Sequence, residues 1–498
     1  ELVHAMINDM VYGGRIQNIV RSRTQLSIPL WANEGLAEFL SSNWDTEVDM
    51  IIRDLAINER IPSISELQSI LAYRGGQSVW RFIAKKYGRE KIAEILQAMK
   101  RYQNAEKGFE EALGMDYEEL NEQWQKYIKK EYFPDIAGRD AIDDVAKPLT
   151  DHKKSNNFYN IAPAISPDGS QIVYFKDNMG YIDIDIIDAV SGKKVKRAVK
   201  GNRSIEFEEL KLLQPGVSWS PDGRKIVIAA KAGSKDAFHI INIRNGDSKK
   251  IPFDLEGVFT PKWSPDGMKL AFVGNKNSAS DIYTIDLNTN EIVNLTSDIF
   301  SDSEPSWHPS SSKLLFVSDR GTKIDRVPTT AVDMIDHNFE QNNIYSIDIN
   351  TKVVEKITNS SSNKNYPIYA NTENVIFYTS DYNGTWNIFK HDLDSGNAYP
   401  VTNFITGLKG LSLTNDDAMM IFSGYSGWGW DVYSLNNPLQ MKEQTIEPTI
   451  YIKNIKSDLK EDIVDLREDK YRGVESNTTD YSDYIFAWEY QYLNDQKS

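Results

Sequence analysis

The first six residues, Glu-Leu-Val-His-Ala-Met, hold a carboxylate and an imidazole three positions apart. On a helix, Glu1 and His4 stand one turn apart on one face. They match the second half of an H-E-x-x-H pattern. In that pattern two histidines a turn apart hold zinc, and the glutamate handles the proton of a water. A zinc hydrolase of this kind also needs a third ligand, delivered from a second helix. E-x-x-H by itself occurs in many helices by chance, so another segment has to carry the reading.

That segment is "IPLWANEGLAEFLSS". Its Trp31, Asn33, Glu34, Gly35, Ala37 and Phe39, with Pro29 ahead of them, resemble the W-x-N/x-E-G-x-A-x-[YF] segment of the gluzincin metallopeptidases, in particular the peptidase MA-like group. "AYRGGQSVWRFIAKKYGREKIAEIL" resembles a Y-x-x-x-[GQ]-S-[FV]-[VW]-R-[YF] helix of the same group, and "FEEALGMDYEELNEQWQKYI" its closing helix pair. The resemblance covers most of residues 1–133.

The resemblance implies that His4 and Glu34 are zinc ligands, together with a histidine just before Glu1. The 29 residues between His4 and Glu34 form a wider gap than in aminopeptidase or thermolysin relatives. Glu1 would polarise the water and carry its proton to the leaving amine. Glu38, one turn after Glu34, reads either as an acceptor that orients a ligand histidine or as a solvated helix glutamate. Tyr73 reads either as a donor to the developing oxyanion or as a helix-packing tyrosine. A chain starting at Glu1 supplies two of three protein ligands. Weak zinc binding and absent or very low peptidase activity are expected of it.

Several elements must position these residues. Residues 1–133 read as mainly helical, with apolar residues at three- and four-residue spacing. Gly75 and Gly76 stand at the head of one helix, and Pro134 follows another. Residues 134–144 read as a polar linker. From about 145 to 440 short strands recur, and "AISPDGSQIVYF", "SWSPDGRKIVIA", "KWSPDGMKLAFV" and "SWHPSSSKLLFV" share one template. Pro167, Pro221, Pro265, Pro309, Ala370 and Asn415 fall 54, 44, 44, 61 and 45 residues apart. That period is the one expected of β-propeller blades, and six blades are counted. Lys147–Thr150 are expected to supply the outer strand of the last blade and so close the ring. The template resembles a TolB-like propeller. The fold class expected is therefore multidomain: a mainly α-helical gluzincin-like domain, then an all-β six-bladed propeller.

His308 replaces the serine of the S-P-D-G turn and reads as a turn residue; the other propeller histidines form no ligand pattern. A serine peptidase of the prolyl oligopeptidase type would need a G-x-S-x-G elbow after the propeller. "GYSGWG" lies inside a blade and has Trp428 where the second glycine belongs.

Residues 441–498 read as an acidic linker followed by the start of another element. "DYSDYIFAWEYQY" resembles the junction at which such chains continue into an outer-membrane β-barrel, which would place the domains in the periplasm or at the cell surface. The net charge of −16 argues against nucleic-acid binding, and the absence of cysteine rules out disulfides and thiolate metal sites. Two functions stand against each other. One is a zinc peptidase whose propeller engages peptide or protein substrates. The other is a non-catalytic envelope propeller that binds protein partners, with a degenerate protease-like domain attached.

Overall fold

The computed structural model describes residues 2–12, 26–233, 235–277, 279–321 and 337–455. The chain divides into two compact units, Glu1–Gly138 with Thr449–Ser498, and Arg139–Pro448. The first is helical: α1 (Leu2–Tyr12), α2 (Leu30–Ser41), α3 (Thr46–Ile57), α4 (Ile70–Tyr87), α5 (Glu90–Tyr102), α6 (Ala105–Leu113) and α7 (Tyr117–Tyr132). Side-chain caps start three of them: Asp45 accepts from Val48 N, Asn104 from Lys107 N, and Asp116 from Glu119 N.

The glycines expected at the head of a helix lie inside α4, which begins six residues before Gly76. The reason is tertiary. A Cβ on Gly76 would meet the Trp31 carbonyl oxygen at 2.2 Å, and one on Gly35 would meet Gly76 C at 2.3 Å. Only glycine lets α2 and α4 approach this closely. Below the crossing, Trp80 Nε1 donates to Ala32 O at 2.9 Å, and Trp31, Trp80, Phe109 and Tyr117 pack ring to ring.

A buried polar knot joins α3 to α7. Asp49 accepts from Tyr132 Oη at 2.7 Å, from Trp44 Nε1 at 3.1 Å and from Arg53. Arg53 also faces Asp135 at 3.5 Å. Where a linker was expected, residues 450–455 are helical and belong to this knot. Ile450 N donates to Asp135 Oδ1 at 3.0 Å, and the buried Tyr451 donates to the Trp44 carbonyl. Backbone donors satisfied inside the helical unit hold the segment better than solvent would. The 134–144 stretch is likewise structured, with a helical turn at Ile142–Val145 and a bridge from Asp140 to Phe404. Residues 456–498, including the barrel-like tail, lie outside the described residues. No helix among the described residues is long and apolar enough to cross a membrane, which says nothing of strands.

The second unit is a propeller of six antiparallel sheets. Blades one to five each run from an inner strand outward: Asn160–Ile165, Val217–Trp219, Gly257–Trp263, Asp302–Trp307 and Lys364–Tyr369 are the inner ones. The S-P-D-G turns are built as their chemistry dictates. Ser166, Ser220 and Ser264 donate to Asp168, Asp222 and Asp266 at 2.6, 2.5 and 2.6 Å. These bonds, with backbone N–H groups, hold Asp168 and Asp222 below the usual carboxylate range. His308 fills the turn role expected of it, accepting from Ser310 N at 3.1 Å. Trp219 and Trp307 donate across blades, to Ala164 O and Lys262 O, each at 2.9 Å.

The two long spacings have separate causes. The 54-residue interval contains an extra short strand, Glu209–Leu210, and the 61-residue one an insertion between Ser318 and Asn343. At the foot of that insertion sits Arg320, 2 % exposed. Its Nη2 donates to both oxygens of Asp302 at 2.7 Å, its Nη1 meets Asp298 at 3.0 Å, and its Nε meets Ser318 Oγ at 2.9 Å. Phe300, Phe316 and Tyr345 surround the guanidinium at 5.0–5.5 Å.

Ring closure follows the expectation. Lys147 and Pro148 pair with Ser434 and Tyr433 in the last blade (Gly407–Leu413, Met419–Tyr425, Trp430–Asn436). Asp431 latches the seam, accepting from Thr150 Oγ1 at 2.7 Å and Asn160 Nδ2 at 3.0 Å and pairing with His152 Nδ1 at 2.6 Å. Burial alone would lower the His152 pKa, but the hydrogen bond and charge of Asp431 outweigh it and raise it above 6.5. The stabilisation is therefore fully present below pH 6.5 and is lost as pH rises through the higher folded value. Thermal unfolding between pH 5.5 and 8.5 should show this decline, and Asp431→Asn should flatten it. A slope unchanged in Asp431→Asn would assign it to another group.

Candidate metal centre

His4 and Glu34 are brought together from separate helices. α1 buries Val3, Ile7, Val11 and Tyr12, which turns His4 toward the half-exposed side. α2 buries Trp31, Ala32, Gly35 and Leu36, and Glu34 sits beside the glycine that seats this helix on α4. His4 Nε2 lies 3.3 Å from Glu34 Oε2, with side chains 24 % and 18 % exposed. Two metal donors at the edge of a tetrahedron with bonds near 2.1 Å stand about 3.4 Å apart. One imidazole nitrogen and one carboxylate oxygen, open to solvent and with no other side-chain partner among the described residues, fit a zinc ion. Glu1 lies outside the described residues.

Glu38 has a partner that the sequence reading did not consider. Arg74 Nη1 reaches its Oε2 at 2.9 Å, so the carboxylate is neither freely solvated nor bonded to a described histidine. The bridge ties α2 to α4 one turn beyond Glu34. Tyr73, the neighbour of Arg74, is 39 % exposed and makes no hydrogen bond among the described residues. Among the described residues, no hydrogen bond joins it to His4 or Glu34.

Arg74 and the Gly35–Gly76 crossing escaped the sequence reading. The Gly-Gly pair was the available signal, but helical glycines resemble helix ends. In the propeller, residues with positive φ recur on the inner strands at Ala162, Thr260, Glu304, Tyr366 and Gly410, each inside a break of register. Four of these precede a proline (Pro163, Pro261, Pro305, Pro367), a repeated signal that went unread.

Among the described residues one acidic cluster lies in the propeller. Asp281, Asp298 and Asp302 place carboxylate oxygens within 4.8 Å of one another. Arg320 occupies two of the three.

Residues 4–130 match the Peptidase MA superfamily, and residues 203–325 match the TolB beta propeller domain. No curated protein matches the chain. Similar solved structures include TolB from Acinetobacter baumannii (19% identity, 55% of this chain and 65% of that one, TM-score 0.42). Others are oligogalacturonate lyase from Vibrio parahaemolyticus (12%, 61% and 96%, TM-score 0.40) and the tricorn protease (15%, 57% and 30%, TM-score 0.37). The chain thus spans 65% of the Acinetobacter protein's length. Its two units, taken with the two family matches, are a Peptidase MA-like helical domain followed by a six-bladed TolB-like propeller.

Proposed function

We propose that the helical domain is the ligand-bearing part of a zinc metallopeptidase, and that the propeller engages peptide or protein chains in the bacterial envelope. The supporting observation is the 3.3 Å approach of His4 Nε2 to Glu34 Oε2, from helices that share no sequence neighbourhood. When bound, zinc supplies Lewis acidity toward a peptide carbonyl and toward water. His4 and Glu34 would hold it. Glu1, three positions before His4 in sequence, would accept a proton from the attacking water at its carboxylate and hand it to the leaving nitrogen. Arg74 fixes Glu38 and, through it, the outer end of α2.

Zinc competition against a chromophoric chelator tests the ligand pair, measured on the chain extended through the residues that precede Glu1 in its gene. One site is expected, weakened about a hundredfold or more in His4→Ala and in Glu34→Ala. Stoichiometric zinc in Glu34→Ala would remove the assignment. No zinc in the extended parent chain would leave the envelope scaffold as the reading.

A further inference from the structure

The propeller encloses a central cavity of about 570 Å³, bounded by the inner strands of all six blades. Its volume is that of a small-ligand pocket. Among the described residues, the only charged side chains lining it are Lys262, Glu304 and Lys409. The wall therefore carries a net positive charge inside a chain of −16. Two of the three are occupied. Lys409 Nζ lies 4.0 Å over the Trp430 ring, and Glu304 accepts from Tyr366 N–H.

Lys262 is different. Its backbone carbonyl takes the Trp307 indole N–H, but no acceptor or ion-pair partner meets its ammonium among the described residues. Glu304 stands on the neighbouring blade without closing to an ion pair. Burial pulls Lys262 below its ordinary value against the pull of Glu304. Burial pushes Glu304 up to about 7, opposed by Tyr366 N–H and by Lys262. Neither group neutralises the other fully. The Thr260 hydroxyl, on the same wall, is also buried without a partner. An uncompensated cation in a cavity costs free energy, which a ligand's carboxylate would offset. Among serines and asparagines the wall also carries aromatic and apolar side chains, including Trp263, Pro305, Trp307 and Tyr366. The register breaks at Thr260 and Glu304 also free inner-strand backbone from its ladder.

We propose that this cavity binds peptide through a carboxylate seated on the Lys262 ammonium, with the peptide's apolar groups against the surrounding rings. The inference rests on the reading of the propeller as peptide-binding and names the residue that selects the ligand. A charge-assisted bond to an otherwise unpartnered cation is strong enough to dominate selection.

The test is calorimetry and tryptophan fluorescence on the full chain with three probes. They are N-acetyl-Ala-Ala-Phe with a free C-terminus, its C-terminal amide, and N-acetyl-Ala-Glu-Phe-amide. At least one acid-bearing probe should bind about tenfold or more tighter than the neutral amide. Which acid gains tells a chain terminus from an acidic side chain. Lys262→Met should erase the ratio, Lys262→Arg should keep it, and Glu304→Gln should keep or increase it. The melting temperature of Lys262→Met should equal or exceed that of the parent, because an unpaired charge is removed. Equal binding of all three probes, or a ratio surviving in Lys262→Met, would overturn the assignment and leave peptide binding standing. A large fall in melting temperature would make Lys262 a structural tie and overturn it too. No binding by any probe would overturn both this proposal and the peptide-binding reading.

Discussion

Arg320→Met is expected to lower the stability of the propeller by about 3–5 kcal/mol, the range for removing one partner of a buried ion pair. The methionine fills much of the arginine's volume inside the cage of Phe300, Phe316 and Tyr345, so packing loss is small. What remains is electrostatic. Asp302 is 0 % exposed and loses both bonds from the guanidinium, and Asp298 loses its partner at 3.0 Å. Even with Arg320 present, burial raises the Asp302 pKa to about 7, with the charge of Asp298 adding to it and Arg320 opposing. A carboxyl with a folded pKa above its unfolded 3.8 binds a proton on folding. Stability therefore falls as pH rises from 3.8 to the folded value and is level beyond it. Without Arg320 that folded value moves higher still, so the deficit of the variant should deepen from pH 5 to pH 8. Denaturant unfolding at both pH values measures it, and a deficit independent of pH would mean that packing, not charge, sets the loss.

Gly76→Ala is expected to destabilise the helical domain by about 3 kcal/mol. Two effects compete. Helix propensity alone favours alanine by about 1 kcal/mol at an interior position. Sterics oppose it, because the new Cβ would stand 2.2 Å from the Trp31 carbonyl oxygen, 2.9 Å from Gly35 Cα and 3.1 Å from Trp31 C. All three neighbours are backbone, so no rotamer change relieves them. The helices must separate, which shifts the helix that carries Glu34. Gly114→Ala, at a helix end with nothing near its Cβ but a φ of +71°, separates the causes: its cost is backbone strain alone. Circular dichroism melts should rank Gly76→Ala well below the parent. Equal stability would mean that the two helices can part freely.

The fold of the propeller was legible because its punctuation is local. Pro-Asp-Gly, with a serine two residues before the aspartate, specifies a turn within five positions, and the strand after it is a short continuous apolar run. The closing strand was legible for the same reason: "KPLT" repeats an ending found in other blades. The approach of Glu34 to His4 was legible through residue identity, since the Trp31–Phe39 segment carries a pattern as well as a carboxylate. What stayed hidden depends on residues far apart in the chain. Gly35 and Gly76 are 41 positions apart, and each reads locally as a weak point in a helix. Arg320 and Asp302 are 18 apart in a chain crowded with aspartate, so no pairing stands out. Lys262 looked like one more strand lysine. Its meaning comes from six inner strands enclosing one space, which no single blade reveals.

The helical knot also sets an order of events during synthesis. Trp44 and Asp135 accept from Tyr451 and Ile450, which lie beyond the whole propeller in sequence. A ribosome adding roughly 5–20 residues per second needs about 15–60 s to cross the 311 positions from Gly138 to Thr449. During that interval the helical unit is on the nascent chain without its last piece, while all the strands of the ring emerge and close. The propeller can therefore finish before the helical domain that precedes it in sequence.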